Sequence, residues 1–324
     1  MKAVRNGSFP TGDSAVGREL DRALRARPSG ALPDAALRAL QDRATREAID
    51  LQVEAGLDLV TDGLLRHRDP IAAVAGALHG IRIGEASIPC PGRGTECRVP
   101  IVEAEIAWPG PLVTEDYLFA VQGTPRPVKP VLPGPFTLAI IAEDHAYGDP
   151  MAVALGFAAA LNKELRSLAG AGAPIIQIDE PALLVHKEQF PTFTRIWEVL
   201  GRGVSSTLSL HLDGGDLEGI YPGVTRLKRL GGLGIDLLAG RGTADLLAVS
   251  PWPADLTVIL GVVDGGNERV ESVQEIRDRV RAIQGLPGRD RIAIGPATGL
   301  GGLTRDAAVA KARNLAAAAC PPDA

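Results

Sequence analysis

The chain has 324 residues, 45% of them hydrophobic, which suffices for one large α/β barrel or for two ordinary domains. A net charge of −5 supplies no basic face for phosphate and argues against nucleic acid as a partner. No apolar run has the length of a membrane span, and Met1–Pro10 lacks the apolar core of a secretory signal. Cys90, Cys97 and Cys320 cannot all pair, so a cytoplasmic, reducing location without membrane contact is expected.

In chain order, short β-branched runs alternate with longer amphipathic ones, which predicts repeated βα units and a parallel sheet. Eight runs read as strands: KAVRNGS from Lys2, LDLVTDG from Leu57, VKPVLPG from Val128, PIIQIDEP from Pro174, STLSLHLDG from Ser206, LGIDLLAG from Leu233, LTVILGVVDG from Leu256 and RIAIGPA from Arg291. Most are apolar until a polar residue closes them, as expected of strands buried on both faces. Helical spacing of apolar residues marks 36–56, 153–170, 270–285 and 304–319. Residues around 80–125 break the rhythm and read as a β-hairpin-like insertion between the second and third strands. The expectation is one (β/α)8 TIM barrel spanning 1–324, favoured over an open doubly wound sheet. GSFPTGD after the first strand carries no dinucleotide or phosphate loop.

A barrel meets its substrate at the C-terminal ends of its strands. Those ends collect Gly7, Ser8, Asp62, Asp179, Glu180, His211, Asp213, Asp264, Asn267 and Thr298. His211 and Asp213 alternate along one strand and point to the same side, either as two metal ligands or as an imidazole oriented by an acid. The competing reading is a hydrogen-bonded barrel histidine, and two side chains alone do not make a zinc site. Asp179 and Glu180 end a buried strand, where paired carboxylates call for a cation such as a substrate ammonium; an ion pair or helix cap is the alternative for each. Arg66 or Arg68 could grip a carboxylate, or form part of a solvated charge run. Cys90 and Cys97 lie outside the usual metal-ligand spacing and read as free thiols.

GSFP at Gly7–Pro10, TDG at Thr61–Gly63, GPFT at Gly134–Thr137, IQIDEPAL at Ile176–Leu183, LGVVDGGNERVES from Leu260 and GPATGLGGLTR from Gly295 occur in one order along nearly the whole chain. Together they resemble the catalytic barrel of cobalamin-independent methionine synthase and the short single-barrel members of that family. The resemblance implies methyl transfer to a thiol held as a zinc thiolate, from a methylated pterin or a corrinoid protein. It also implies metal ligands at His211, at the positions of Asp213 and Thr298, and at or near Leu238. Of these only His211 keeps the family's ligand type. The acid expected after TDG is Leu64, and the one expected after DEPAL is Val185.

The reading that results is a methionine-synthase-like enzyme that transfers or cleaves a methyl or other one-carbon group on a small amino-acid-like or thiol substrate, with no cofactor, zinc being the alternative. His211, Asp213 and Asp179 are its expected catalytic residues, His211 with Asp213 forming the acid/base pair and Asp179 anchoring an ammonium. Gly7, Ser8, Asp62, Glu180, Asp264, Asn267 and Thr298 join Asp179 in substrate binding, with Ser8 and the Gly7 backbone at the substrate carboxylate. Three alternatives stay open: a homocysteine S-methyltransferase with a substitute His/Asp metal site, a metal-free lyase like uroporphyrinogen decarboxylase, and a non-catalytic binding barrel.

Overall fold

The computed structural model describes residues 1–10, 14–26, 34–67, 69–91, 96–240 and 242–320. Seven parallel strands form one sheet in the spatial order Lys2–Ala3, Ile292–Pro296, Thr257–Val263, Leu230–Asp236, Thr207–Leu212, Ile175–Asp179 and Val131–Pro133. The expected second strand is reduced to two parallel bridges, Val4 with Leu59 and Val60 with Val128, and these join the first strand to the third. Eight strands therefore close a barrel in chain order.

The walls follow from alternation. Ile176, Ile178, Leu208, Leu210 and Leu212 belong to the large apolar cluster that also contains Leu161, Leu165, Phe193 and Trp197 of the surrounding helices. A separate small cluster of Val4, Leu59, Ile259 and Ala293 packs together from the first, second, seventh and eighth strands and plugs the barrel from inside. Helix Asp34–Glu54 buries Leu37, Leu40, Ala44, Ala48 and Leu51, the three-to-four spacing seen in the sequence. The helix expected over 270–285 is shorter, Val273–Arg281, because Ser272 and Glu275 form a capping box that fixes its start.

The insertion is a hairpin of His79–Pro89 against Glu96–Ala107, extended in parallel by Glu143–Asp144. Helix Thr114–Gln122 also falls within the expected 80–125 span and leads back to the third barrel strand. The hairpin shares the barrel's apolar cluster through Cys97, Val102 and Ile106.

Its exit is pinned by one buried carboxylate. Glu164, on helix Pro150–Gly170, accepts from Trp108 Nε1 (2.8 Å), the main-chain N–H groups of Leu112, Val113 and Thr114 (2.8, 2.9 and 3.1 Å) and the Thr114 hydroxyl (2.9 Å). Charge-assisted bonds of this kind offset the desolvation of the acid, and deleting it leaves several buried donors unmatched. Glu164→Ala is expected to lower unfolding free energy by about 3 kcal/mol or more in denaturant titration; a loss below about 1 kcal/mol would show that the pin is dispensable.

Candidate active site

Alternation that sends the leucines and isoleucines outward sends Gln177, Asp179, Ser209 and His211 into the barrel. Gln177 is the register partner of Ser209, and Asp179 of His211, so the four form a patch on the fourth and fifth strands with neighbouring backbones about 5 Å apart. All four are buried. The next strand answers with glycines. A Cβ at Gly234 would lie 2.2 Å from His211 Nδ1, and one at Gly232 would lie 3.2 Å from Ser209 Oγ. The imidazole thus occupies space that only glycine leaves open.

The ring is held across the barrel, with Nε2 3.2 Å from the main-chain oxygen of Ala297 at the end of the eighth strand. A carbonyl only accepts, so Nε2 carries a proton. Nδ1 has no hydrogen-bond partner among the described residues, and neither do Gln177 Oε1 and Ser209 Oγ. Gln177 Nε2 donates to Asp179 Oδ1 at 2.7 Å, which fixes that carboxylate.

A cation shares this interior. Lys129, two residues before the third strand, is fully buried and donates to Asn6 Oδ1 at 3.1 Å, while Asn6 Nδ2 donates to the Pro296 oxygen. Burial pulls the Lys129 ammonium down to about 7; Asp179 opposes that shift and Arg5 reinforces it. Arg5 is itself buried, 5.3 Å from the centroid of the Phe9 ring, and its pKa is lowered to about 9 by desolvation.

Three loops knit the barrel mouth. Gly7, with φ +72°, accepts from the Thr61 hydroxyl (3.1 Å), and Phe9 N–H donates to the Gly63 oxygen (3.0 Å). Ser8 accepts through its main-chain oxygen from Leu300 N–H (2.9 Å) and through Oγ from Gly301 N–H (3.2 Å). Asp62 accepts from Leu64 N–H, and desolvation raises its pKa. It lines a cavity of about 50 Å³ with Leu64, Arg66, Tyr117, Val131 and Pro133. Asp264 and Asn267 hydrogen-bond each other, and Asp264 Oδ1 also accepts from Gly266 N–H, so both side chains shape the turn after the seventh strand. That turn packs on the last loop, where a Cβ at Gly265 would lie 2.6 Å from Thr298 Oγ1.

Several expected roles change. Glu180 is fully buried away from the mouth and accepts from Phe136 N–H (3.0 Å), Thr137 N–H (2.7 Å) and the Thr137 hydroxyl (2.6 Å), so it serves as a cap for helix Pro135–Ile141. Burial still pushes its carboxyl up to about 7. Asp213 is buried, yet the group that orients His211 is the Ala297 carbonyl. Arg66 pairs with Asp42 (2.8 Å) and Asp116 (3.2 Å) and lies over Phe119, which commits it to packing; Arg68 lies outside the described residues. Reading only strand ends passed over Asn6, Lys129, Gln177 and Ser209. A lysine inside an otherwise apolar run, VKPVLPG, was the available signal.

Residues 2–320 match the family model described as cobalamin-independent synthase, catalytic domain. The chain belongs to this family. It is 29% identical over 286 residues to the methionine synthase of Methanothermobacter thermautotrophicus, covering 85% of this chain and 88% of that protein. It is 27% identical over 301 residues to that of Sulfurisphaera tokodaii, covering 91% and 86%. Its fold is that of a B12-independent methionine synthase from Shewanella sp. W3-18-1 solved with selenomethionine, with a TM-score of 0.85 at 21% identity over 98% of this chain and 96% of the other. The protein is thus of the cobalamin-independent methionine synthase type, an enzyme class of methyltransferases.

Of the positions that the resemblance assigns to metal, His211 keeps the expected donor type. The positions that the resemblance assigns to metal hold His211, Asp213, Thr298 and, near the sixth strand's end, Leu238, which has no donor atom. Asp236, next to it, is occupied by the N–H groups of Gly214 (3.2 Å), Leu238 (2.8 Å) and Ala239 (3.0 Å). No group of three His, Cys, Asp or Glu residues converges on a common point among the described residues.

Gly234→Ala is expected to displace the His211 ring and abolish turnover, at a stability cost of about 1–3 kcal/mol; a crystal structure of the variant with the ring unmoved would refute this packing argument. Lys129 titrates in the folded chain near 7, below the ordinary lysine value of 10.5. Between those values the unfolded chain binds more protons, so folding stability rises with pH there. Relative to Lys129→Met, the wild type should therefore gain stability from pH 7 to about pH 10 in denaturant titrations, and parallel pH profiles would contradict the buried charge.

Proposed function

We propose that the protein transfers or cleaves a methyl or other one-carbon group on a small amino-acid-like or thiol substrate without a zinc ion. The carrying observation is the Asp179–His211 pair, in register and buried on the inner wall. Family membership supports the reaction class. The relatives' activities support a sulfur amino acid, since one of them, from Thermotoga maritima, is a 5-methyltetrahydropteroyltriglutamate–homocysteine methyltransferase.

Each residue has a defined task. Asp179, fixed by Gln177, binds the substrate ammonium. His211, with Nδ1 against the Gly234 backbone and Nε2–H on the Ala297 carbonyl, is a rigid wall that positions the substrate sulfur, which reacts as its thiolate. The sulfur–carbon bond forms as the bond from the methyl carbon to its donor breaks. The electron pair leaves on the donor, which takes up a proton from solvent. The methyl donor, a methylated pterin or a corrinoid protein, approaches over the mouth loops around Ser8, Asp62, Asp264, Asn267 and Thr298. We place the enzyme in the cytoplasm; no helix among the described residues is long and apolar enough to cross a membrane.

The test combines metal analysis of the purified protein with calorimetric titration by L-homocysteine. The expected result is no stoichiometric metal, activity indifferent to chelator, and at least about tenfold weaker binding in Asp179→Asn, as the loss of a charged hydrogen bond requires. Tightly bound stoichiometric zinc would overturn the metal-free step, and failure to bind any amino acid would remove the role of Asp179.

A further inference from the structure

The peptide between Val263 and Asp264, at the end of the seventh strand, is gripped from both sides. Its N–H donates to Glu271 Oε1 at 2.8 Å, and its carbonyl accepts from Ala297 N–H at 2.8 Å. Ala297 in turn presents its own carbonyl to His211 Nε2, 3.2 Å away. The second oxygen of Glu271, Oε2, accepts from Lys311 Nζ at 2.9 Å. A line of hydrogen bonds therefore runs from an ammonium on helix Arg305–Ala319, through one carboxylate and the ends of two neighbouring strands, to the imidazole inside the barrel.

The outer end of the line is held firmly. Lys311 and Glu271 are both buried, and Lys311 also donates to the Arg269 carbonyl. Asn314 Nδ2 donates to the main-chain oxygen of Glu271 at 2.7 Å, and Arg279 Nη1 lies 3.7 Å from Oε1. A buried ion pair is a weak source of stability, since apolar residues of similar size often replace it without loss. What an apolar pair cannot supply is an acceptor for Asp264 N–H. The strands carry a matching irregularity. Gly295 pairs with Gly261 but Pro296 with Val263, a bulge of the kind that re-aims the chain beside a site. A Cβ at Gly261 would lie 2.6 Å from Ala297 Cα, so glycine is what lets Ala297 come so near.

We infer that Glu271, its charge balanced by Lys311, is a positioning residue: it fixes the Val263–Asp264 peptide, and through it the Ala297 carbonyl that sets the pose of His211. Bonds joined in such a line polarise one another in the protein interior, so the inner ones tighten when the outer ones are made. The inference rests on the role proposed for His211 at the substrate sulfur. It extends the site outward to two groups that never meet the substrate.

Two double variants separate positioning from packing. Glu271→Gln with Lys311→Met removes both charges and keeps an amide oxygen for Asp264 N–H. Glu271→Leu with Lys311→Met removes the charges and the acceptor together. Both are expected to fold, with denaturation midpoints near that of the wild type. The readout is solvent exchange of the His211 Nε2–H proton by NMR, assigned by its absence in His211→Gln. It should quicken at least about tenfold in the leucine variant and stay within about threefold of wild type in the glutamine variant. Equal exchange in the two double variants would overturn the inference. Should the leucine variant not fold, the wild type decides: Asp264 N–H, Ala297 N–H and the ring N–H are expected to share one protection factor within about tenfold, and a wider spread would overturn the inference. The ring proton is read without ligand, so its outcome is independent of amino-acid binding, which calorimetry with L-homocysteine decides separately.

Discussion

Register between the fourth and fifth barrel strands is the constraint from which the site follows. Because Asp179 lies beside His211 and Gln177 beside Ser209, two strands that are apolar on their outer faces deliver four polar side chains to one place. A one-residue slip would exchange the faces, placing Ile178 and Leu210 inside and carboxylate and imidazole against the helices. The outer leucines and isoleucines, packed on Leu165, Phe193 and Trp197, therefore fix the chemistry of the inner wall without touching it.

The interior differs from the layered aliphatic filling common in such barrels. Val4, Leu59, Ile259 and Ala293 form a small cluster of that kind. Asn6, Lys129, Gln177, Ser209 and His211 are buried too, and Gly295, Gly232 and Gly234 leave the room taken by Asn6, Ser209 and His211. Buried polar groups are costly unless paired, and their concentration on the inner wall is the expected signature of a functional site. The family supplies the barrel and the reaction type, whereas this chain's own residues set how a substrate is held.

Much of the fold was legible in the sequence because doubly buried strands are apolar runs and amphipathic helices carry their period openly. The second strand was legible as LDLVTDG although it pairs only through isolated bridges. The site was legible where a polar residue ended an apolar run, as with Asp179 and His211. It was not legible where the deciding partner is distant along the chain. The carbonyl of Ala297 is 86 residues from the ring it holds, and Asn6 is 123 residues from Lys129. Glu180 looked equivalent to its neighbour Asp179, since adjacent strand residues differ only in the face they take, and here the outer one meets the start of a helix. A main-chain oxygen leaves no trace in residue identity, so the Ala297 contact of His211 could not be read from the sequence.

The closeness of the Gly234 backbone to the imidazole has a historical implication. Any ancestor with a side chain at that position had no room for the present ring pose, so glycine had to be in place before His211 could settle as it does now. The two positions are coupled: with the ring in that gap, no side chain can be added at Gly234 unless the imidazole gives up its present pose.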